Sequence, residues 1–110
     1  MVRKISGQSV NAREYSPELK RWVDAFLDYS AIRNYSRVTI QQRRYHLLSL
    51  LAWFDERSIV HLDQITADVM NSYQRYLFHY RQDNGKPLSV TAQRARLMSI
   101  RAWFRWLRKA

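Results

Sequence analysis

Ser36-Arg37-Val38-Thr39-Ile40-Gln41-Gln42-Arg43-Arg44-Tyr45-His46-Leu47-Leu48-Ser49-Leu50-Leu51-Ala52-Trp53-Phe54 is the stretch whose periodicity decides the fold. Ile40, Leu47, Leu50, Leu51 and Phe54 recur with a period near 3.6 and make one apolar stripe, so the spacing predicts a helix over about 37–56. Ser36 stands where a side-chain oxygen can accept from the first free backbone N–H groups of that helix. Gln41, Gln42, Tyr45 and Ser49 share the side turned away from Leu47, Leu51 and Phe54, and offer amide and hydroxyl groups to whatever lies outside.

The same logic extends in both directions. Ser16-Pro17-Glu18 supplies a cap, a proline at the first helical position and an acid in the first turn, and Leu19, Trp22, Val23, Phe26 and Leu27 follow at helical spacing. A first helix is expected over about 17–32, and Asn34-Tyr35-Ser36 separates it from the second. Downstream, Ile65 before the cap Thr66 and Met70 after it form a hydrophobic staple opening a third helix with Val69, Tyr73, Tyr76, Leu77 and Tyr80. Asp83-Asn84-Gly85-Lys86-Pro87 is expected to stop it. Ser89 caps a fourth helix to about Lys109, with Leu97, Ile100, Trp103, Phe104 and Leu107 on one side. No segment alternates apolar and polar residues between turn signals, so the chain reads as all-α with four helices. Residues 1–15 lack periodicity and are expected to be a mobile lead-in, with one ordered domain over 16–110.

A chain of 110 residues suits one core, and 46% hydrophobic composition with two Gly and two Pro excludes disordered, collagen-like and turn-rich β classes. No cysteine is present, so no disulfide framework is possible and nothing points to an oxidising compartment; the expected setting is cytoplasmic. No apolar run approaches the ~18 residues of a membrane span, and the basic Arg3-Lys4 is not followed by a signal-peptide core.

Charge position says more than the net charge of +10. No acid occurs between Asp28 and Asp55 or after Asp83, and these windows coincide with the second and fourth helices. They hold eleven of the nineteen cations: Arg33, Arg37, Arg43 and Arg44, then Lys86, Arg94, Arg96, Arg101, Arg105, Arg108 and Lys109. A single exposed Arg is ordinarily a solvated side chain, but helices normally intersperse both signs, so two acid-free helices imply a polyanionic partner. On a wheel, Arg94, Arg101, Arg105 and Arg108 fall within about 60° of one another. Thr91, Ala95, Met98, Ser99 and Ala102 form a neighbouring face of small side chains, expected to turn outward and let a backbone approach.

These pieces resemble a known family. Ser36-Arg37-Val38-Thr39-Ile40, then Leu47, Leu50, Leu51 and Trp53-Phe54, then Leu62-Asp63-Gln64-Ile65-Thr66-Ala67-Asp68-Val69 with Tyr73, and finally Leu88-Ser89 leading to Arg96-Leu97-Met98-Ser99-Ile100-Arg101-Ala102-Trp103-Phe104-Arg105-Trp106-Leu107 are similar to the N-terminal core-binding domain of tyrosine recombinases and phage integrases. The resemblance covers about residues 17–108. It implies a SAM-like bundle of four or five helices forming one half of a clamp on duplex DNA, with the second and fourth helices crossing the major groove. Carried over by position, DNA-facing sites fall near Thr39, Gln41, Gln42 and Tyr45, and near Thr91, Arg94, Ala95 and Arg96. Arg37, Arg44, Lys86 and Arg101 from the acid-free windows complete the expected DNA-binding set. The chain departs from the family at Arg43, where a Tyr is frequent, and at Ala92, where a Thr is frequent.

In that family strand exchange uses a tyrosine nucleophile with arginines, a lysine and histidines from a separate C-terminal domain. Here no His-x-x-Arg occurs: three residues beyond His46, His61 and His79 stand Ser49, Gln64 and Gln82. The histidines lack metal-ligand spacing and the only glycines are Gly7 and Gly85, so neither a metal nor a cofactor is expected. The chain is expected to bind and position DNA rather than catalyse, as a monomer in isolation. Its expected partners are duplex DNA, the catalytic domain and neighbouring recombinase subunits, and Trp106 is assigned to one of the latter two. The rival from another class is a helical protein-interaction module whose basic faces dock an acidic partner. A short helix-turn-helix and a membrane-surface helix fit less well, because the helices are long and Trp106 spoils a clean apolar face.

Overall fold

Four hydroxyl side chains start four helices. The computed structural model of the chain describes residues 15–110. Ser16, Ser36, Thr66 and Ser89 accept from the backbone N–H of Leu19, Thr39, Val69 and Ala92 at 3.3, 3.1, 3.2 and 3.0 Å. They open α1 (Pro17–Ile32), α2 (Arg37–Glu56), α3 (Ala67–His79) and α4 (Val90–Lys109). The all-α expectation holds, with an isolated bridge between Arg81 and Pro87 and no strand among the described residues. Residues 1–14 of the expected lead-in lie outside the described residues, while Tyr15 is half-buried against the core. Among the described residues no helix is long and apolar enough to cross a membrane.

The periodic stripes meet as expected. Leu19, Val23, Phe26 and Leu27 of α1, Leu47, Leu50, Leu51, Trp53 and Phe54 of α2, Tyr73 and Leu77 of α3, and Ile100 and Trp103 of α4 form one buried cluster. Trp103 is fully buried because the Trp22 carbonyl accepts from its indole N–H at 3.3 Å, which satisfies its polar atom. α4 packs on α2 and α1, whereas α3 lies back from α4. The stripe of α4 is therefore only partly covered, and Leu97, Phe104 and Leu107 remain half-buried.

Two expectations change. Trp106 is not left for another domain or subunit: it sits against α1, with its ring 6.0 Å from Trp22, 5.6 Å from Phe26 and 6.0 Å from Tyr29. The helix wheel places it opposite Leu97, and α1 occupies that side. The third helix stops at His79 rather than at residues 83–87, with Tyr80 extended. A closed turn takes over: the Gln82 N–H donates to the Lys86 carbonyl at 2.9 Å, the Gly85 N–H to the Gln82 carbonyl at 2.8 Å, and the Gln82 amide to the Pro87 carbonyl at 2.9 Å. Gly85 holds φ +81° in it, the left-handed region that glycine enters without steric cost.

The link from α2 to α3 is tied to the start of α1. The Glu18 carboxylate accepts from the Leu62 N–H and lies against His61 Nδ1, both at 2.9 Å, and the Ser16 hydroxyl donates to the Val60 carbonyl. The hydrogen bond with His61 holds the Glu18 carboxyl below its ordinary pKa, and the same bond raises that of His61.

Candidate nucleic-acid interface

α2 and α4 meet through small and polar groups at one seam. Ser99 is 8% exposed, and its hydroxyl pairs with His46 Nδ1 at 2.8 Å. Burial, and secondarily the neighbouring Arg96 charge, holds His46 below its ordinary pKa, so the seam favours a neutral imidazole. Ser99 thus does not belong to the outward face of α4, and Ala102 is half-buried against the core. Their small size lets helices, rather than an external backbone, approach closely.

Arg96 also turns into the seam. Its guanidinium lies 5.1 Å from the centre of the Tyr45 ring, and Nη2 donates to the Tyr45 hydroxyl at 3.4 Å. Below it Tyr73 is 1% exposed, and burial, opposed by Arg96, pushes its phenol up to about 12. Arg96 therefore links a surface ring to the core. Arg43 is likewise occupied, 4.4 Å from the Tyr35 ring centre and 5.2 Å from that of Phe26, while its Nη1 donates to the Ser30 hydroxyl at 2.9 Å. The family's frequent Tyr at that position is replaced here by a cation held between α1 and α2. In the sequence both arginines read as outward charge. The available signal was angular, since Arg96 lies about 200° from Arg94 on a wheel, on the side of Ile100 and Trp103.

The remaining residues of the expected set stand outward. Arg37, Gln41, Gln42, Arg44 and Tyr45 on α2, Lys86 in the turn, and Thr91, Arg94 and Arg101 on α4 are exposed, Tyr45 by 61%. Thr39 is half-buried, and its hydroxyl accepts from that of Ser36 at 2.9 Å, so it belongs to the cap of α2. Gln42 is one turn from His46 and Ala95 one turn from Ser99, which sets these two positions beside the seam, while Gln41 and Arg94 lie about 140° around their helices from it. Arg37, Gln41 and Arg44 line a concavity with Asn34 and Tyr35 at the corner of α1 and α2. Tyr45 and Arg96 line another with Gln82, Asp83 and Asn84, which brings the turn and one acid to the same side. Arg101 is set apart, on the rim of a groove between α3 and α4.

Electrostatically the surface is unbalanced. Ion pairs among the described residues are Lys20–Asp24 at 2.9 Å, Arg57–Glu56 at 3.6 Å and His61–Glu18 at 2.9 Å. None uses a cation from the acid-free windows. The outward cations Arg37, Arg44, Lys86, Arg94 and Arg101 thus carry charge that no carboxylate among the described residues balances, and such surplus favours an anionic partner.

The family profile described as phage integrase, N-terminal SAM-like domain, matches residues 20–110. Tyrosine recombinase XerC 2 of Ralstonia nicotianae (strain ATCC BAA-1114 / GMI1000) is 35% identical over 89 residues, which make up 81% of this chain and 26% of that relative. The chain thus spans about a quarter of the length of the curated relative it matches. No solved structure matches it significantly.

Proposed function

The chain belongs to the family of phage integrase N-terminal SAM-like domains, and from that premise we propose that it is the DNA-holding module of a site-specific tyrosine recombinase. Residues 16–110 act as one core-binding domain that lays the outer faces of α2 and α4 against duplex DNA. The observation that carries this reading is the pairing of α4, which holds no acid, with α2, whose only acids are Asp55 and Glu56 at its C-terminal end; the cations of both have no carboxylate partner among the described residues. Arg37, Arg44, Lys86, Arg94 and Arg101 have the reach and fixed charge to neutralise phosphates, and Gln41 and Gln42 have the amide geometry that reads adenine edges in a major groove. Tyr45 adds a ring and hydroxyl beside them, held by Arg96.

Strand exchange belongs to a separate catalytic domain in this reading. Supporting that, the chain has no His-x-x-Arg, and its most buried phenol, Tyr73, is pushed towards lower acidity, opposite to what an activated nucleophile needs. The catalytic domain and neighbouring subunits are the remaining proposed partners.

Fluorescence anisotropy with a labelled duplex of about three helical turns tests the proposal. Five neutralised phosphates predict a slope of log K on log salt of about −4.5, hence an affinity loss of roughly 500-fold between 50 and 200 mM salt. An affinity indifferent to salt, together with salt-dependent capture of an acidic polypeptide, would replace this reading with that of a protein-interaction module.

A further inference from the structure

Because α3 lies back from α4, an apolar groove of about 550 Å³ remains open between them. Its floor and walls include Ile65 from the link before α3, Met70 from the first turn of α3, and Leu97, Phe104 and Leu107 from α4, all half-buried. On the wheel Leu97 and Phe104 lie about 130° around α4 from Thr91, Ala95 and Met98, so the groove opens away from those positions, with Arg101 on the rim between the two faces. A contiguous apolar recess of this size on an otherwise charged surface marks a binding site for an apolar face.

The rim specifies the occupant's charge. Arg101 and Arg108 stand on the α4 edge seven residues apart, about 10.5 Å along the axis, and neither has an ion-pair partner among the described residues. The other polar lining side chains, Thr66, Asn71 and Gln74, are neutral, and no carboxylate lines the groove. A cleft walled by two helices accepts a third helix through anchors at i, i+3 or i+4, and i+7. Carboxylates seven residues apart on that helix would match Arg101 and Arg108. No helix among the described residues carries acids at that spacing, which argues against a second copy of this chain.

We propose that the α3–α4 groove docks an amphipathic helix of a different protein, its apolar face in the groove and its Asp or Glu flank against Arg101 and Arg108. This goes beyond the DNA reading, with which it shares only Arg101.

The test uses the full chain and a fluorescein-labelled helical peptide with leucines at i, i+3, i+4 and i+7 and glutamates seven residues apart on one flank. A control peptide carries lysines in place of the glutamates. The acidic peptide is expected to bind saturably and at least roughly tenfold tighter than the control. Arg101→Glu with Arg108→Glu should reverse that order. Ala67→Trp, at an exposed position lining the groove, should abolish acidic-peptide binding while leaving thermal melting and duplex DNA affinity unchanged. Equal binding of both peptides, or binding untouched by Ala67→Trp, would overturn the proposal. So would self-association of the chain lost in Ala67→Trp, which would make the occupant a second copy, or displacement of the peptide by duplex DNA, which would make the groove part of the DNA face. Arg101 also belongs to the proposed DNA set, so duplex affinity is compared only in Ala67→Trp, which alters no residue of that set and keeps failure here separate from failure of the DNA reading.

Discussion

Arg94→Ala isolates one contact of the proposed DNA face. Arg94 is exposed and makes no hydrogen bond or ion pair among the described residues, so truncation removes nothing that holds the fold. Alanine is also the better helix former, and thermal stability should stay within about 0.5 kcal/mol of the parent. If Arg94 sits on a phosphate, one fewer counterion is released on binding, and the salt slope falls in magnitude from about 4.5 to about 3.6. A fourfold rise in salt then costs the parent about 500-fold in affinity but the variant only about 150-fold, so the defect narrows by roughly 3.5-fold between 50 and 200 mM. At low salt, losing a charge-assisted hydrogen bond of about 1.5–3 kcal/mol weakens binding by about ten- to a hundredfold. Anisotropy titrations at four salt concentrations measure both quantities. Arg75→Ala is the control: Arg75 is exposed on α3, and its Nη2 donates to the Ser72 hydroxyl at 3.2 Å. Arg57 cannot serve, because its guanidinium lies 4.1 Å from the Trp53 ring centre and its loss removes packing. Parallel salt lines for parent and Arg94→Ala, with a shallower line for Arg75→Ala, would refute the assignment and move the DNA face to α3.

The other predictions rest on the seam and the turn. Arg96→Ala should cost about 1 kcal/mol of stability in urea denaturation through the lost contact with Tyr45, and should weaken DNA binding without changing the salt slope; a slope shallower by about 0.9 would make Arg96 a phosphate contact instead. His46, whose pKa is lowered by burial in the folded chain, contributes stability that is present above about pH 6.5 and lost as pH falls through its lower folded value. The urea midpoint should therefore fall more from pH 7.5 to 5 for the parent than for His46→Gln, and equal falls would remove His46 from the seam's pH response. His61 acts in the opposite sense, its contribution being lost as pH rises through its raised value, so both proteins share that background. Gly85→Ala should lower stability by about 1–2 kcal/mol for conformational reasons alone, since its φ is +81° and a Cβ there meets nothing within 4 Å; an unchanged melting temperature would show that the turn can relax.

Local signals account for much of what was legible. Helix starts at Ser16, Ser36, Thr66 and Ser89 depend on one hydroxyl and the next three residues, and all four stand where the cap pattern placed them. The end of α3 was not legible, because Asp83-Asn84-Gly85-Lys86-Pro87 marks a turn without saying that Arg81 and Gln82 pair across it and unwind the chain back to Tyr80. For the candidate interface, the acid-free windows located the surplus charge, six cations without an acid on α4 and three arginines ahead of Asp55 on α2. They could not separate Arg94, which stands free, from Arg96 and Arg43, which the rings of Tyr45, Tyr35 and Phe26 hold.

What the sequence by itself determined is thus the set of helices, their buried faces and the sign and location of the surplus charge, since each follows from periodicity, capping and composition within about one element. Which neighbour covers each face is a matter of distances between residues far apart in the chain. Only the tertiary structure placed Trp106 on α1 rather than on another molecule, turned Ser99 towards His46, and left Leu97, Phe104 and Leu107 facing an open groove. A periodic stripe requires cover from water but does not name the surface that provides it, and in this chain α3 leaves that cover incomplete.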